Sequence, residues 1–358
     1  MHLALISLLF VSYYLLGGDK GIYDNKVRRR QVLIMGFALF LFAALRSYTV
    51  GIDVENYYYP MYESGAGKSL REWCESNSYR DPGFYIMVGL LQAVHLNPQA
   101  LLAVVGAFVA FGFSYFTYHE KGNALLFFMM FIGFRLFPFT LSGLRQAMAM
   151  SFIFIAYIKL KEGKELPYIF LTLIAATFHI SALLFLLAYP ITLVRKTYII
   201  LIVVLGISLV NYLTGGAVAT KVASLFFNDR FSGYLSRSQD MAFDGSATLF
   251  IYLVIYFISL LFYRKMEHDD GSFYRDFNVL TLGIFFSILG QSMDNVFRIA
   301  YYFIYPMYPI FSNVLSSLLR NRQAAGIVGF FVSLLLAAQY LYLGPGAGTD
   351  PYLFYWEI

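Results

Sequence analysis

The sequence predicts an all-helical, polytopic integral membrane domain, and three observations carry that expectation. Apolar residues fill 59% of the 358 positions and charged residues only 13%, against roughly 25% charged in soluble globular domains. The apolar residues fall in repeated helix-length runs, and in hydrocarbon only helices and closed barrels satisfy the backbone polar groups. The basic residues gather in the short connections between those runs, as sidedness in a membrane requires. A soluble enzyme is excluded, and at 19% aromatic so is a disordered chain. The single cysteine, Cys74, rules out an intramolecular disulfide framework or a cysteine metal site. The net charge of +5 does not indicate nucleic acid, because no soluble Lys/Arg face interleaves with stacking aromatics.

The first run, MHLALISLLFVSYYLLGG, has no basic n-region and no small-residue cleavage site; Lys20, Lys26 and Arg28 to Arg30 follow it. It reads as a retained span over 3–17 with an outside N-terminus. Further spans are expected at 31–45, 100–118, 124–137, 145–160, 167–178, 180–194, 197–213, 247–263, 276–291, 299–318 and 324–343. About twelve spans place both termini outside, and most of the 26 Lys and Arg residues then fall in the inside connections. Two long outer segments, 46–82 and 214–246, are rich in Tyr, Asp, Arg and Ser. Residues 83–96 are apolar, but a span there would turn the basic connections outward, so they are assigned to an interfacial or half-inserted helix. The 167–194 stretch is too short for two spans of about 20 residues each. Two short helices meeting near His179 keep Lys164 and Arg195 on one side, with the turn buried by neighbouring protein. The chain reads as a single membrane domain without an internal repeat.

Motifs for soluble nucleotide chemistry are absent: there is no Walker loop, and GPGAG at 344–348 follows a membrane run, not a strand. His119-Glu120 is followed by Asn123 where a zinc-protease helix needs a second His. Asp53 and Glu55 are a candidate divalent-cation pair, although two carboxylates so spaced are common in loops. The informative residues come from distant points that the topology brings to one outer face. Arg46, Asp53 and Tyr57 follow the second span; Arg80 and Asp81 end the same loop. Arg135, Arg145 and Gln146 flank a turn, His179 sits between short helices, and Asp294 and Arg298 open a late span.

An Arg at a helix centre costs about 2.5–3.5 kcal/mol on the insertion scale and less near an end, and snorkelling explains many such residues. Snorkelling serves poorly for four Arg at outer ends, against the positive-inside bias. A permanently charged planar fork suits phosphate oxygens, so the cluster fits a diphosphate at the membrane surface. His179 reads either as the cap of a broken helix or as a base for a sugar hydroxyl. Asp53 is a second candidate base, or a partner of Arg46. Tyr57 to Tyr59 and Tyr301-Tyr302 are more often interfacial belt residues than sugar platforms.

Four segments then occur in order: RSYTVGIDVENY at 46–57, LRQAMA at 144–149, FHISAL at 178–183 and DNVFRIAYYF at 294–303. In these segments and their topology the chain resembles the EpsG family of Wzy-like bacterial polysaccharide polymerases. The family's frequent Glu before Pro/Gly-Phe stands here as Asp81 before Pro82, Gly83 and Phe84. The resemblance implies a glycosyltransferase of the bacterial cytoplasmic membrane. It would join undecaprenyl-diphosphate-linked repeat units at the outer face, beside a flippase and a chain-length regulator of the same pathway. On that reading Arg145 and Arg298 hold diphosphate with Arg46 supporting, Gln146 orients, and Tyr57 and Asp294 contact substrate. His179 is the first candidate base and Asp53 the second; no cofactor and no resident metal are expected. The rival readings are a flippase or exporter of lipid-linked sugars, and a non-catalytic scaffold.

Overall fold

Long apolar runs leave the backbone no hydrogen-bonding partner but itself, and the chain folds accordingly. The computed structural model describes residues 2–77, 81–227, 245–292, 294–318 and 348–357. Among them there is no strand, only an isolated antiparallel bridge between Arg46 and Phe354. Arg80, residues 228–244 of the second outer segment, and the span expected over 324–343 lie outside the described residues. Two units form, Met1–Leu183 with Asn321–Ile358, and Leu184–Arg320.

In the first unit, α1 (His2–Leu15) and α2 (Asn25–Ala44) precede three short helices, α3 (Tyr59–Ser64), α4 (Leu70–Asn77) and α5 (Pro82–Ala93). There follow α6 (Pro98–His119), α7 (Ala124–Gly133), α8 (Leu136–Ser142), α9 (Leu144–Lys161) and α10 (Glu165–Phe178). Helix α2 packs on α6, α6 on α9, and α9 on α10. Small residues set the spacing: a Cβ on Gly112 would lie 2.6 Å from the Ser151 carbonyl oxygen, so the α6 and α9 backbones nearly touch. Phe113 fills the space beside that contact, stacked on Phe131 at 3.9 Å with Phe154 edge-on at 5.6 Å. Every residue of α7 is buried, as expected of a helix apolar all round.

The two ends of this unit differ in chemistry. At one end the last carbonyls of α6, which lack intrahelical partners, are capped by the buried guanidinium of Arg28. Its Nη1 donates to Gly122 O at 2.6 Å and its Nη2 to Thr117 O at 2.5 Å and to Glu120 O; Nε donates to Tyr118 O at 3.2 Å. Lys161 closes the same end on Glu120 at 2.7 Å. Arg28→Ala leaves those carbonyls buried without donors, and hydrogen bonds to a charged group are worth roughly 1.5–3 kcal/mol each. The variant should unfold in detergent several degrees below wild type; an unchanged Tm would show that water replaces the guanidinium at no cost. Arg46 and Arg145 stand at the opposite ends of α2 and α9.

The remaining helices form the second unit. Tyr256 and Thr281 share a hydrogen bond of 2.8 Å between the helices Gly245–Leu261 and Phe273–Leu289. Asn278 caps the chain at Ile191 and Val194 through Nδ2, at 3.2 and 2.7 Å. Thr197–Leu213 exposes Ile202, Leu205, Leu209 and Leu213, the last by 71%, and Leu261 is 83% exposed. Such unpartnered apolar helix faces belong in a lipid solvent.

Span lengths depart from expectation. Among the described residues only Pro98–His119 is long and apolar enough to cross a membrane alone. Two bent pairs qualify together: Ala124–Gly133 with Leu136–Ser142 at 55°, and Thr197–Leu213 with Ala217–Leu225 at 103°. By length alone that makes one to three spans, short of the twelve expected. Several expected spans are apolar helices of only 10–17 residues, Glu165–Phe178 and Thr248–Leu261 among them; elsewhere Arg135 adopts a left-handed backbone (φ 62°) and divides the run expected as 124–137. The run expected over 299–318 is likewise divided, into a 3-10 turn at Arg298–Tyr302 and a helix at Met307–Leu318. The two elements expected to meet near His179 do so, although the second begins as a 3-10 helix, Ile180–Leu187, before a short α11 (Ala188–Thr192). The apolar run at 83–96 is helical only as far as Ala93, within α5, a helix too short to cross.

Candidate functional site

Four polar side chains of the first unit meet where α5, α9 and α10 begin or end. Asp81 precedes Pro82, the first residue of α5, and takes a left-handed conformation (φ 56°, ψ 50°) that Asp and Asn tolerate better than most residues. Its carboxylate is 5% exposed and is the hub. Oδ2 accepts from Arg145 Nη1 at 2.8 Å and lies 3.7 Å from His179 Nδ1; Oδ1 accepts from the backbone N–H of Ile180 at 3.1 Å. His179 ends α10 in an extended conformation, and the 3-10 helix begins on its carbonyl. Gly83 allows the approach: a Cβ there would stand 2.4 Å from Thr177 Oγ1.

Arg145 occupies the first turn of α9, whose preceding residue, Gly143, offers no side-chain cap. The partial positive charge of a helix N-terminus therefore adds to the guanidinium. Backbone N and Nε both donate to Tyr58 Oη at 3.4 Å, and the guanidinium lies 5.5 Å from the Tyr57 ring centroid. Nη2 has no hydrogen-bond partner among the described residues, and the side chain is 20% exposed. Tyr57 Oη shares a 2.7 Å hydrogen bond with Tyr85 Oη. A π-helical turn over Val54–Tyr58 places Tyr57 and Tyr58 together on Arg145, a distortion frequent at functional positions.

Electrostatics follow from this packing. Burial raises the Asp81 pKa, but the nearby His179 imidazole, the charge of Arg145 and the hydrogen bond from the Ile180 N–H together outweigh it; the carboxyl is held below its usual range. Burial raises the Tyr58 phenol, against the pull of Arg145 and with a small push from Asp53, so it stays protonated. Tyr58 also lines a small aromatic cleft with Tyr48, Tyr59, Tyr62 and Gln99. Tyr48 and Tyr59 stack there at 4.0 Å.

The EpsG family model matches residues 29–355, nearly the whole chain. The chain belongs to the EpsG family. No curated protein and no solved structure matches it. Membership and the apolar helices together make it a membrane protein of polysaccharide biosynthesis, a polymerase of glycosyltransferase type.

In this EpsG-family chain the expected site residues separate. Arg145, His179 and Tyr57 come together. Arg46 is 1% exposed and its guanidinium donates to the backbone carbonyls of Ala43 and, at 3.0 Å, Leu141. Burial pushes it down to about 10, with Tyr352 acting weakly the other way. In this structure Arg46 locks the end of α2 to the turn before α9, and Ser47 N and Tyr355 N add the C-terminal segment at 2.8 and 3.0 Å. Asp53 is half-buried, and its backbone N–H donates to Ser142 Oγ at 3.0 Å. Gln146 is buried, at 4% exposure. Asp294 opens a four-residue helix and Arg298 a 3-10 turn, both in the second unit. Sequence reasoning read Tyr58 as an interfacial belt residue, did not single out Tyr85, and placed Asp81 on the outer face without giving it a role. The available signal for Asp81 was an acidic residue directly before Pro-Gly at a helix start.

Proposed function

We propose that the chain joins oligosaccharide repeat units carried on undecaprenyl diphosphate, at the outer face of a bacterial cytoplasmic membrane. One unit's anomeric carbon leaves its lipid diphosphate and is attacked by a hydroxyl of another. The observation that carries this reading is Arg145: two of its nitrogens are fixed by Asp81 and Tyr58, and Nη2 is left to meet an anion beside the α9 N-terminus. A guanidinium held before the substrate arrives stabilises developing negative charge on a diphosphate leaving group without reorganisation. His179 is the base that takes the attacking hydroxyl's proton. Asp53 is the second candidate base; Arg298 is proposed as a further diphosphate ligand, and Gln146, Tyr57 and Asp294 for orientation and contact. A twelve-span topology with outside termini, and a flippase and chain-length regulator as companions, belong to the same proposal.

Purified protein in lipid with lipid-linked repeat units tests it. A ladder of lengthened products is expected. Transfer across the bilayer without lengthening would replace the polymerase with a flippase.

Sidedness has its own test in Cys74, a half-buried residue of α4 and the only thiol. A membrane-impermeant thiol reagent should label it in intact spheroplasts, with denatured protein as the control for burial. Labelling only after the inner face is opened would move the site to the cytoplasm.

If guanidinium groups carry the diphosphate charge, lengthening should also survive chelation of divalent cations. Asp53 and Glu55 offer the alternative, since magnesium takes one or two carboxylates and completes its shell with water and phosphate oxygens. Loss of the ladder on chelation, restored by magnesium and mimicked by Glu55→Gln, would make the 46–82 segment the catalytic centre.

A further inference from the structure

We infer that Asp81 is a positioning residue for the proposed reaction, a single carboxylate that holds Arg145 and His179 in register and competes with the donor diphosphate for Arg145. The inference rests on the polymerase reading and adds to it a residue outside the acid–base and anion-binding set. Three observations carry it. The first is geometry: one oxygen, Oδ2, faces both Arg145 Nη1 at 2.8 Å and His179 Nδ1 at 3.7 Å. The second is anchorage. Oδ1 accepts from Ile180 N at 3.1 Å, immediately after His179, so the carboxylate cannot turn from one partner without releasing the α10 end. The third is the backbone. A left-handed residue directly before Pro82 is fixed in direction by the start of α5, and Gly83 lets that start rest on Thr177.

The consequences follow from charge. A carboxylate beside Nδ1 favours the His179 tautomer with its proton on that nitrogen, which leaves Nε2 unprotonated as an acceptor for the attacking hydroxyl's proton. When the hydroxyl oxygen bonds to the anomeric carbon, that proton passes to Nε2. The bond to the lipid diphosphate breaks with its electron pair on the diphosphate oxygen, and Asp81 balances the new imidazolium. The same carboxylate neutralises Arg145 before the donor binds, so its removal frees a guanidinium N–H for diphosphate. The two effects act in opposite directions: one slows the chemical step, the other strengthens donor binding.

Asp81→Asn separates these effects from folding, because Asn tolerates the left-handed backbone and keeps an oxygen for Ile180 N–H. We expect kcat to fall at least tenfold with the donor KM at or below that of wild type. Asp81→Gly keeps the backbone freedom and opens the carboxylate's place. Added formate should restore its rate in a concentration-dependent way, while chloride at matched ionic strength should not. Wild-type rates from Asp81→Asn, a loss that lies wholly in a raised KM, or an Asp81→Gly variant indifferent to formate would each overturn the assignment. A wild-type protein that makes no ladder would instead sink the polymerase reading, so the two failures are distinguishable.

Discussion

Arg145→Lys should abolish most polymer formation while leaving the protein folded in the membrane. Lysine keeps the positive charge but supplies one point donor in place of a planar fork. In the native site the fork's Nη1 is held by Asp81 at 2.8 Å and its Nε by Tyr58 at 3.4 Å, and Nη2 makes no hydrogen bond among the described residues. A lysine ammonium that stays on Asp81 cannot also reach the anion, and one that reaches the anion leaves Asp81 buried without its ion pair. Losing one preorganised donor to a developing anion costs about 10²–10³-fold in rate, so a drop of roughly that size in initial rate is expected at matched expression. Turnover within about threefold of wild type would remove Arg145 from the diphosphate site. Arg298→Lys is the natural companion, and a larger loss there would move the main anion ligand to the second unit.

How much of this was legible in the sequence differs residue by residue. The helical class was legible because hydrocarbon allows only helices and closed barrels, and continuous apolar runs of helix length are not the alternating pattern of a barrel strand. The helix break at His179 was legible from length: the stretch between Lys164 and Arg195 is too short for two spans. The break at Arg135 was not, since φ 62° at a non-glycine residue depends on the burial of α7 and α8 around it. Arg145 was legible as a cation against the sidedness bias. Arg46 bore the same signature, yet its guanidinium meets backbone carbonyls. Charge against bias marks an unusual arginine, and packing decides whether it faces a ligand or its own chain. Tyr58 was hidden because a π-helical turn changes which tyrosine of 57–59 faces α9, and no periodicity announces such a turn. Asp81 shows the reverse case: its motif was visible, but its position between Arg145 and His179 depends on α5 meeting the end of α10.

His179→Gln should retain donor binding and lose turnover. Glutamine keeps a polar head near Asp81 but takes no proton at neutral pH, so the variant removes the base and little else. The imidazole is 17% exposed in side-chain area, open enough to be reached by a substrate hydroxyl and close enough to Asp81 to be oriented. General base catalysis contributes about 10²–10⁴-fold, and a loss in that range is expected in initial rates of ladder growth. Donor binding, followed by photo-crosslinking of a lipid diphosphate, should stay near wild type because the Arg145 contacts are unchanged. Asp53→Asn is the control for the other candidate base. Its anchor to the fold is a backbone N–H donated to Ser142 Oγ at 3.0 Å, which the substitution leaves in place. If His179→Gln turns over near the wild-type rate while Asp53→Asn does not, proton abstraction belongs to the π-helical loop, and His179 is the cap of a broken helix. If both variants lose turnover but only His179→Gln keeps donor binding, His179 is the base and Asp53 belongs to substrate positioning.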